Sequence, residues 1–583
     1  MEKKKSVFKG IAASPGIAIG KAFVIEEESD YFPEATVQRS GVKDEILRFQ
    51  TALSKTKNEM LQTQEKILKT LGKSHARLIE AYLLILSDPI LTEDVIQTIN
   101  REWVKAEYAL KQSIDKIVKK FEKLDDEYFR ERKNDVIDVG KKIMQNLLGR
   151  KKKDMTKLKD EVLIIAHSLS PSDTVHMRDQ MVKAFATDIG GKTSHTAIVA
   201  RILEIPAVVG LKAISKFIRS GDDVIIDGNA GLVIINPDRD TISSYRRAKE
   251  IHMAELRELE KLKDLPAQTV DGHRIVLAAN IDSSDEVKSV LSHGAEGVGL
   301  FRTEFLFLDR NSLPTEEEQY RHYTNVVKSL LPYSVIIRTL DLGGDKLAKQ
   351  GYGVGKQERN PFMGLRGIRL CLHHPELLKP QIRAILRASS EGKVKMMFPM
   401  ISTLEELRQV QELVKEVKLE LTRERIDFDG DIEIGIMIEV PSAALITDIL
   451  AKESDFISIG TNDLIQYTLA VDRVNEDVAT LYDPLNLSIL RLIKFVVDST
   501  HAAGKWVGMC GEMAADPNLN AVLLGLGLDE LSISPVDVPR IKSFIRTSNF
   551  RKSQELVKEI MRLSDRDSIS RVVKRGVARS NWK

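Results

Sequence analysis

A histidine in a glycine-rich segment has the setting of a nucleophile. The segment D-I-G-G-K-T-S-H-T-A-I-V-A-R covers residues 188–201. Its glycine pair allows a tight turn, and Thr193 or Ser194 can cap a helix that begins there, with His195 in the first turn. A neutral imidazole is a nucleophile near neutral pH, and the unpaired N–H groups at a helix start bind phosphate. His195 is therefore a candidate phosphoryl acceptor; the alternative is an incidental surface histidine beside a capping loop.

Basic residues follow apolar segments repeatedly in the C-terminal half of the chain. They are Arg302, Arg338, Lys346, Arg366 and Arg473. A guanidinium fork matches a phosphate or a carboxylate with two parallel hydrogen bonds. Arginines that converge on one face would form an anion-binding site, whereas each of them alone could equally be a surface ion pair.

Two acids and an amide follow strand-like segments in the same region. Glu439 ends I-M-I-E, and Asn462 and Asp463 follow F-I-S-I-G-T. Magnesium takes one or two carboxylates together with phosphate oxygens and water, which fits Glu439 and Asp463. Asn462 could hold the phosphate or a metal-bound water. The alternative for Asp463 is a helix N-cap.

The chain has two cysteines, and their settings differ. Cys510 ends the apolar segment W-V-G-M-C-G, where a thiol can act as a general acid. The alternative is a small buried residue, because free cysteine is among the most buried residue types. Cys371 lies in the helical pattern G-I-R-L-C-L-H-H, which favours the buried interpretation.

The elements that must position these side chains alternate between strands and helices from residue 268 to the end. The candidate strands are 274–280, 297–302, 335–341, 394–400, 433–440, 456–460, 506–511 and 530–534. Eight strands in one region of this length predict a (β/α)8 barrel, with a doubly wound open sheet as the alternative. The polar residues recur at strand carboxyl ends, which form one face of a barrel and carry its active site. This recurrence favours the barrel.

The N-terminal half reads as an α/β domain with a helical insertion. Short strands with glycine turns occur near residues 6–27 and again from about residue 161, whereas residues 41–149 carry apolar residues at helical spacing and little glycine or proline. We predict an α/β domain from residues 1–30 and 155–240, an inserted helical bundle at 31–154, a helical linker at 241–267 and a barrel domain at 268–583.

Composition narrows the class of protein and its compartment. The 583 residues contain 87 Lys and Arg and 85 Asp and Glu, a net charge of +2, which argues against a nucleic-acid-binding or membrane-surface protein. Two cysteines do not make a disulfide framework, and no apolar run approaches the length of a membrane span. We therefore expect a protein of the cytoplasm with no nucleic-acid partner and no stable membrane association.

Several long motifs together resemble one enzyme family. G-G-K-T-S-H-T-A-I-V-A-R is similar to the phosphohistidine signature of phosphoenolpyruvate-using enzymes, and D-F-I-S-I-G-T-N-D-L-I-Q-Y-T-L-A-V-D-R to their second signature. With R-T-L-D-L-G-G-D-K and V-G-M-C-G-E-M-A, the order of parts resembles enzyme I of the bacterial phosphoenolpyruvate:sugar phosphotransferase system. The similarity runs from Phe8 to beyond Pro535.

The resemblance implies a role for each candidate residue. His195 would be phosphorylated, Arg302, Arg338, Asn462 and Arg473 would bind phosphoenolpyruvate, and Glu439 and Asp463 would hold Mg²⁺. Cys510 would protonate the enolate that phosphoryl loss leaves behind. It further implies a homodimer through the barrel, and a histidine-containing phosphocarrier protein that docks on the inserted helices and receives the phosphoryl group.

The sequence departs from the family pattern at two places. Tyr82 and Ser87 stand where relatives carry a histidine and an acid on the docking helices, and fewer acids there weaken attraction to a basic carrier. The loop Q-G-Y-G-V-G-K-Q-E also departs from the family pattern.

The alternative functions are three. The first is a dikinase or synthase, which would also need an ATP-binding domain; the second is a binding protein without turnover; the third is a regulatory relay not coupled to sugar transport.

Overall fold

Two compact units divide the chain, Met1–Glu255 and Leu256–Lys583. The structure is a computed structural model, and it describes residues 5–25, 35–70, 79, 82–122, 127–149, 160–169, 181–191, 195–203, 205–308, 312–344, 347, 358, 360–473, 475 and 477–579.

Strands from both ends of the first unit pair in one mixed sheet. They are β1 (Ser6–Lys9), β2 (Ile11–Ser14), β3 (Ile17–Ile25), β4 (Val162–Ala166), β5 (Val182–Thr187), β6 (Ala207–Val209), β7 (Asp223–Asp227) and β8 (Leu232–Ile235), in the order β1-β8-β7-β3-β4-β5-β6-β2. β3 pairs with β4 in parallel, although a long helical segment separates them in sequence. That segment is therefore an insertion into an α/β fold, as predicted.

The inserted segment has a hydrophobic core of its own. Its helices are α1 (Val42–Thr70), a helix over 82–87, α2 (Pro89–Glu102), α3 (Ala106–Glu122) and α4 (Glu127–Leu147). Phe49, Val95 and Leu110 are among the side chains that bury each helix's apolar face. The segment thus packs as the helical bundle that the sequence predicts.

The position of Tyr82 differs from the expectation that this residue alters a docking surface. Its side chain is 4% exposed, and its hydroxyl donates to an Asp138 carboxylate oxygen at 3.3 Å. It is therefore part of the bundle core, because its ring completes an apolar face of the bundle. Ser87 is exposed and accepts a hydrogen bond from Lys57, so only the second departure can change the charge that a partner meets.

Two helices complete the first unit and lead out of it. α5 (His195–Ile202) begins at His195 and follows β5 and its glycine turn. α6 (Arg239–Glu260) agrees with the predicted linker helix, and none of its residues is buried.

The second unit is built on a closed barrel of eight parallel strands. They are β9 (Val276–Ile281), β10 (Gly297–Phe301), β11 (Ser334–Arg338), β12 (Val394–Phe398), β13 (Glu433–Ile438), β14 (Phe456–Ile459), β15 (Trp506–Met509) and β16 (Glu530–Ile533). Each strand pairs with the next, and β16 pairs with β9 to close the ring. Closure confirms the predicted barrel over the open sheet.

The helices of the second unit surround this ring. They are α7 (Val287–Ser292), α8 (Glu316–Leu330), α9 (Ile368–His373), α10 (Pro375–Ser389), α11 (Leu404–Glu424), α12 (Pro441–Leu445), α13 (Thr447–Leu450), α14 (Thr461–Leu469), α15 (Leu487–Ala502), α16 (Asn520–Leu526), α17 (Val538–Thr547), α18 (Phe550–Ile560) and α19 (Arg566–Arg579). The observed strands end before several predicted ends, as Arg338 ends β11 where residue 341 was predicted. The residues beyond the strand ends turn into the carboxyl-terminal face. Within the described part of the chain, no helix has both the length and the apolar composition that a bilayer span requires.

A buried lysine joins three segments of the second unit. Lys542 on α17 is 1% exposed, and its ammonium donates to the carbonyl oxygens of Lys263 and Gly294, each at 2.7 Å. Burial lowers the pKa of the Lys542 side chain. Both the charged and the neutral amine can donate hydrogen bonds to the two carbonyl oxygens.

We predict that Lys542→Met lowers the free energy of unfolding by about 2–3 kcal/mol, because two carbonyl oxygens lose the buried donor that joins them. Urea denaturation followed by circular dichroism measures this. Lys558→Met on the exposed face of α18 is the control and should change stability little. Equal stability of the two variants would contradict the prediction.

Candidate active site

Three buried carboxylates converge at the carboxyl-terminal face of the barrel. Asp341 follows β11, Glu439 follows β13 and Asp463 lies in the first turn of α14, after β14. One oxygen from each lies within 4.8 Å of the others. Neighbouring parallel strands end on the same face, so residues far apart in sequence meet there.

Two arginines form ion pairs with this cluster. The guanidinium of Arg366 donates to both oxygens of Asp341, at 3.0 and 3.1 Å, and to Asp463 at 3.0 Å. Arg338 forms ion pairs with Glu304 at 2.9 Å and with Asp341 at 3.0 Å. The Nε of Arg338 is buried, and no hydrogen-bond partner for it exists among the described residues. The two arginines therefore offset part of the negative charge and leave one donor unused.

The charges shift the ionisation of these groups in opposite directions. Burial raises the pKa of Glu439 well above its ordinary value, and the neighbouring charges of Asp341 and Asp463 raise it further. Burial alone would lower the pKa of Arg366, but Asp341 and Asp463 outweigh it, so its pKa lies above the ordinary value. The acid cluster is thus short of positive charge, which a divalent cation would supply.

Backbone groups hold Glu439 in its place. The N–H of Met400, after β12, donates to one carboxylate oxygen at 2.7 Å. The other oxygen lies 2.8 Å from where a Cβ on Gly460 would stand. A side chain at residue 460 would displace this carboxylate, so the glycine is required by close approach.

A second polar group lies at the neighbouring strand ends. Glu512 accepts from Asn462 at 3.2 Å and from Arg473 at 3.0 Å, and the Glu512 N–H donates to the Asn462 oxygen at 2.9 Å. Arg473 and Glu512 are exposed to solvent and Asn462 is half-buried, so a ligand can replace their mutual hydrogen bonds at low cost. Asn462 and Asp463 are adjacent residues, which joins this group to the carboxylate cluster.

Arg302 adds a cation at the end of β10. Its guanidinium lies 3.3 Å from the Asp282 carboxylate, and both side chains are largely exposed. This contact is a weak exposed ion pair, so the guanidinium can turn to another anion.

Cys510 follows β15 and borders the barrel interior. It is 3% exposed and packs with Leu300, Ile336 and Met437. The Ser458 hydroxyl donates to its sulfur at 3.5 Å. Burial raises the pKa of the thiol to about 11, so it carries its proton at neutral pH.

The sequence-predicted residues fall into one face of the second unit and one helix of the first. Seven of them lie at or beyond the carboxyl ends of barrel strands, on the carboxyl-terminal face: Arg302, Arg338, Glu439, Asn462, Asp463, Arg473 and Cys510. His195 begins α5 in the first unit. Thr193, Ser194, Lys346 and the loop at 351–357 lie outside the described residues.

Two acids and one contact were not predicted from the sequence. Asp341 is the last residue of the predicted strand 335–341 but was not predicted as a third carboxylate of the cluster, and Glu512 was not singled out. Arg366 was predicted to bind an anion, whereas the structure pairs it with Asp341 and Asp463. The run L-D-L-G-G-D holds a signal for Asp341, because it repeats the strand-then-acid pattern of I-M-I-E.

Comparison of the sequence with known protein families finds three matching domains. The patterns of three domains match: PEP-utilising enzyme, N-terminal, at residues 9–132; PEP-utilising enzyme, mobile domain, at 158–231; and PEP-utilising enzyme, PEP-binding domain, at 256–550.

Similar full-length proteins include three named phosphoenolpyruvate-protein phosphotransferase. That of Bacillus subtilis (strain 168) is 45% identical over 569 residues, 97% of this chain and 99% of that protein. That of Staphylococcus carnosus (strain TM300) is 44% identical over 551 residues, 94% and 95% of the two chains. That of Geobacillus stearothermophilus is 44% identical over 572 residues, 98% of each.

We predict that Glu439→Gln stabilises the protein by about 1–2 kcal/mol in the presence of a chelator, because the folded protein disfavours the ionised form of this carboxyl group, whereas the amide is neutral and its oxygen can still accept from Met400. We expect Mg²⁺ to raise the melting temperature of the wild type and not that of this variant. Thermal unfolding with and without Mg²⁺ measures both effects.

Glu412→Gln on the exposed face of α11 is the control and should behave as wild type. A normal Mg²⁺ response in Glu439→Gln would contradict the assignment of this carboxylate to the metal.

Proposed function

The chain belongs to the phosphoenolpyruvate-protein phosphotransferase family, and we propose that its barrel face binds phosphoenolpyruvate while His195 accepts the phosphoryl group. As a member of this family, the protein catalyses phosphoenolpyruvate-dependent phosphoryl transfer in the phosphotransferase system. The observation that carries the residue-level proposal is the joint presence of arginines and converging carboxylates on one barrel face.

The substrate is doubly anionic, and the proposed binding residues match its two ends. Arg302, Arg338, Asn462 and Arg473 offer donors to a phosphate and a carboxylate. Support comes from the unused Nε donor of Arg338 and from the exposed, exchangeable contacts of the other three. Arginine is suited to both groups because its planar fork donates two bonds in parallel.

We propose that Glu439 and Asp463 hold Mg²⁺, with Asp341 close enough to contribute. Support comes from the clustering of three carboxylate oxygens within 4.8 Å, the hard oxygen ligands that Mg²⁺ prefers. Bound there, the ion would neutralise phosphate charge during transfer. Met400 and Gly460 keep Glu439 in position for this role.

The proposed transfer step needs a nucleophile and an acid. An imidazole nitrogen of His195 forms a bond to phosphorus as the bond between phosphorus and the enol oxygen breaks, which leaves phosphohistidine and the enolate of pyruvate. The Cys510 thiol gives its proton to the methylene carbon of the enolate, and water later returns a proton to the sulfur. The raised pKa of the thiol supports this role, because the proton is still present at neutral pH.

We propose that the parts of the chain divide this work. Residues 1–30 and 155–240 would form the phosphohistidine domain, 31–154 the carrier-binding bundle, 241–267 the linker and 268–583 the substrate-binding barrel. Pairing of β3 with β4 supports the first two boundaries, and the exposed helix α6 supports the third.

We further propose that phosphohistidine passes its phosphoryl group to a histidine-containing phosphocarrier protein that docks on the inserted helices. Exposed apolar side chains there, Leu47, Leu61 and Leu84, could form the centre of such a contact.

We also propose a cytoplasmic homodimer formed through the barrel. Leu445 on α12 and Ile449 on α13 are exposed apolar residues close in sequence, which supports a buried interface there.

Incubation with labelled phosphoenolpyruvate and Mg²⁺ tests the proposal. We expect label on the protein and none on His195→Ala, because that variant lacks the nucleophile. His252→Ala on α6 is the control and should be labelled as wild type. Labelling of the His195→Ala protein would refute the assignment.

Substitution of Cys510 by alanine should slow pyruvate release by about 10²–10⁴-fold, the usual worth of a general acid. The chain offers a matched control in Cys371, also fully buried, whose replacement by alanine should leave the rate near wild type. Rapid-quench measurement of pyruvate gives both rates. Equal losses in the two variants would indicate a packing effect instead.

A further inference from the structure

A second histidine stands at the sheet edge where His195 begins its helix. His167 follows β4 and Asp188 follows β5, and these neighbouring strands run in parallel with Ala166 opposite Thr187. The Nδ1 of His167 lies 3.1 Å from Oδ2 of Asp188. The Ile189 N–H also donates to the His167 carbonyl at 3.2 Å, so the backbones hold the two residues side by side.

Asp188 is built into the fold as an orienting group. Its carboxylate has 0% exposure, whereas the imidazole of His167 is 32% exposed. The backbone N–H of Ser215 donates to Oδ1 at 3.0 Å, and the Ser215 hydroxyl donates to Oδ2. A carboxylate that accepts from these donors also accepts from an Nδ1–H, which fixes the ring and directs its Nε2 away from the carboxylate.

The segment that carries His167 contacts the helix of His195 directly. The hydroxyl of Thr196 donates to the carbonyl of Leu169 at 3.5 Å. Leu169 is two residues beyond His167, a span of at most about 7 Å. Thr196 is the residue after His195. An imidazole at residue 167 is therefore near the start of α5.

We propose that His167 is a phosphate-binding residue of the phosphoryl-accepting site and that Asp188 positions it. The inference rests on the proposed role of His195. As an imidazolium, His167 donates Nε2–H to an oxygen of the phosphoryl group on His195, a charge-assisted hydrogen bond that neutral His167 cannot make.

Several charged groups occupy the elements that contact this pair. Among the described side chains they are Asp188 itself, Lys212 and Lys216 beside Ser215, and Arg201 on α5. Wild type and variant both keep these groups, so the ratio of their rates isolates the contribution of His167.

The test is single-turnover labelling by phosphoenolpyruvate, in the full-length protein, of wild type, His167→Gln and His252→Gln. We expect His167→Gln to be labelled on His195, but about 10- to 100-fold more slowly, the worth of a charge-assisted hydrogen bond. His252→Gln should give a ratio of one. Asp188→Asn should behave as His167→Gln, because the imidazole loses its orienting charge.

The phosphorus NMR resonance of phosphohistidine adds a direct readout and should move in His167→Gln. A ratio of one overturns the proposal, as does a loss of rate accompanied by a lower melting temperature, which would indicate a structural role. Failure of the proposed function looks different, because wild type itself would then take no label or His195→Ala would take it.

Discussion

The barrel face depends on the compensation of buried negative charge. Asp341, Glu439 and Asp463 would repel one another strongly in a medium of low dielectric constant if no cation were near. Arg366 and Arg338 supply that compensation through short, multiple contacts. The protein thereby maintains a cluster of acids that is costly to the fold and suited to a metal ion, which is a common feature of functional sites.

Several local features of the fold hold this cluster in position. The N–H of Met400 and the absence of a side chain at Gly460 fix Glu439 from two sides, while the exposed group of Asn462, Arg473 and Glu512 keeps exchangeable donors beside it. Rigid carboxylates and adaptable cations are a reasonable division of labour for phosphoryl transfer. In the proposed roles, the carboxylates would be preorganised for a metal ion, and the substrate contacts would form and break in each turnover.

Both units follow one topological rule. In the barrel and in the mixed sheet, chemically important side chains follow the carboxyl ends of parallel strands, where the chain leaves the sheet and side chains meet from several strands. His167 and Asp188 obey this rule in the first unit as Asp341 and Glu439 do in the second.

By itself, the sequence determined the fold class, the eight barrel strands and the strand-end residues from which the site is built, because apolar periodicity and turn residues act locally. The roles of His195, Cys510 and the binding residues remain predictions of its motifs. Only the tertiary structure decided that Asp341 joins the acid cluster, that Arg366 spans two acids, that Tyr82 is buried and that His167 pairs with Asp188. Each of these depends on residues brought together by strand order and packing, and contacts between residues distant in sequence have no local pattern to announce them.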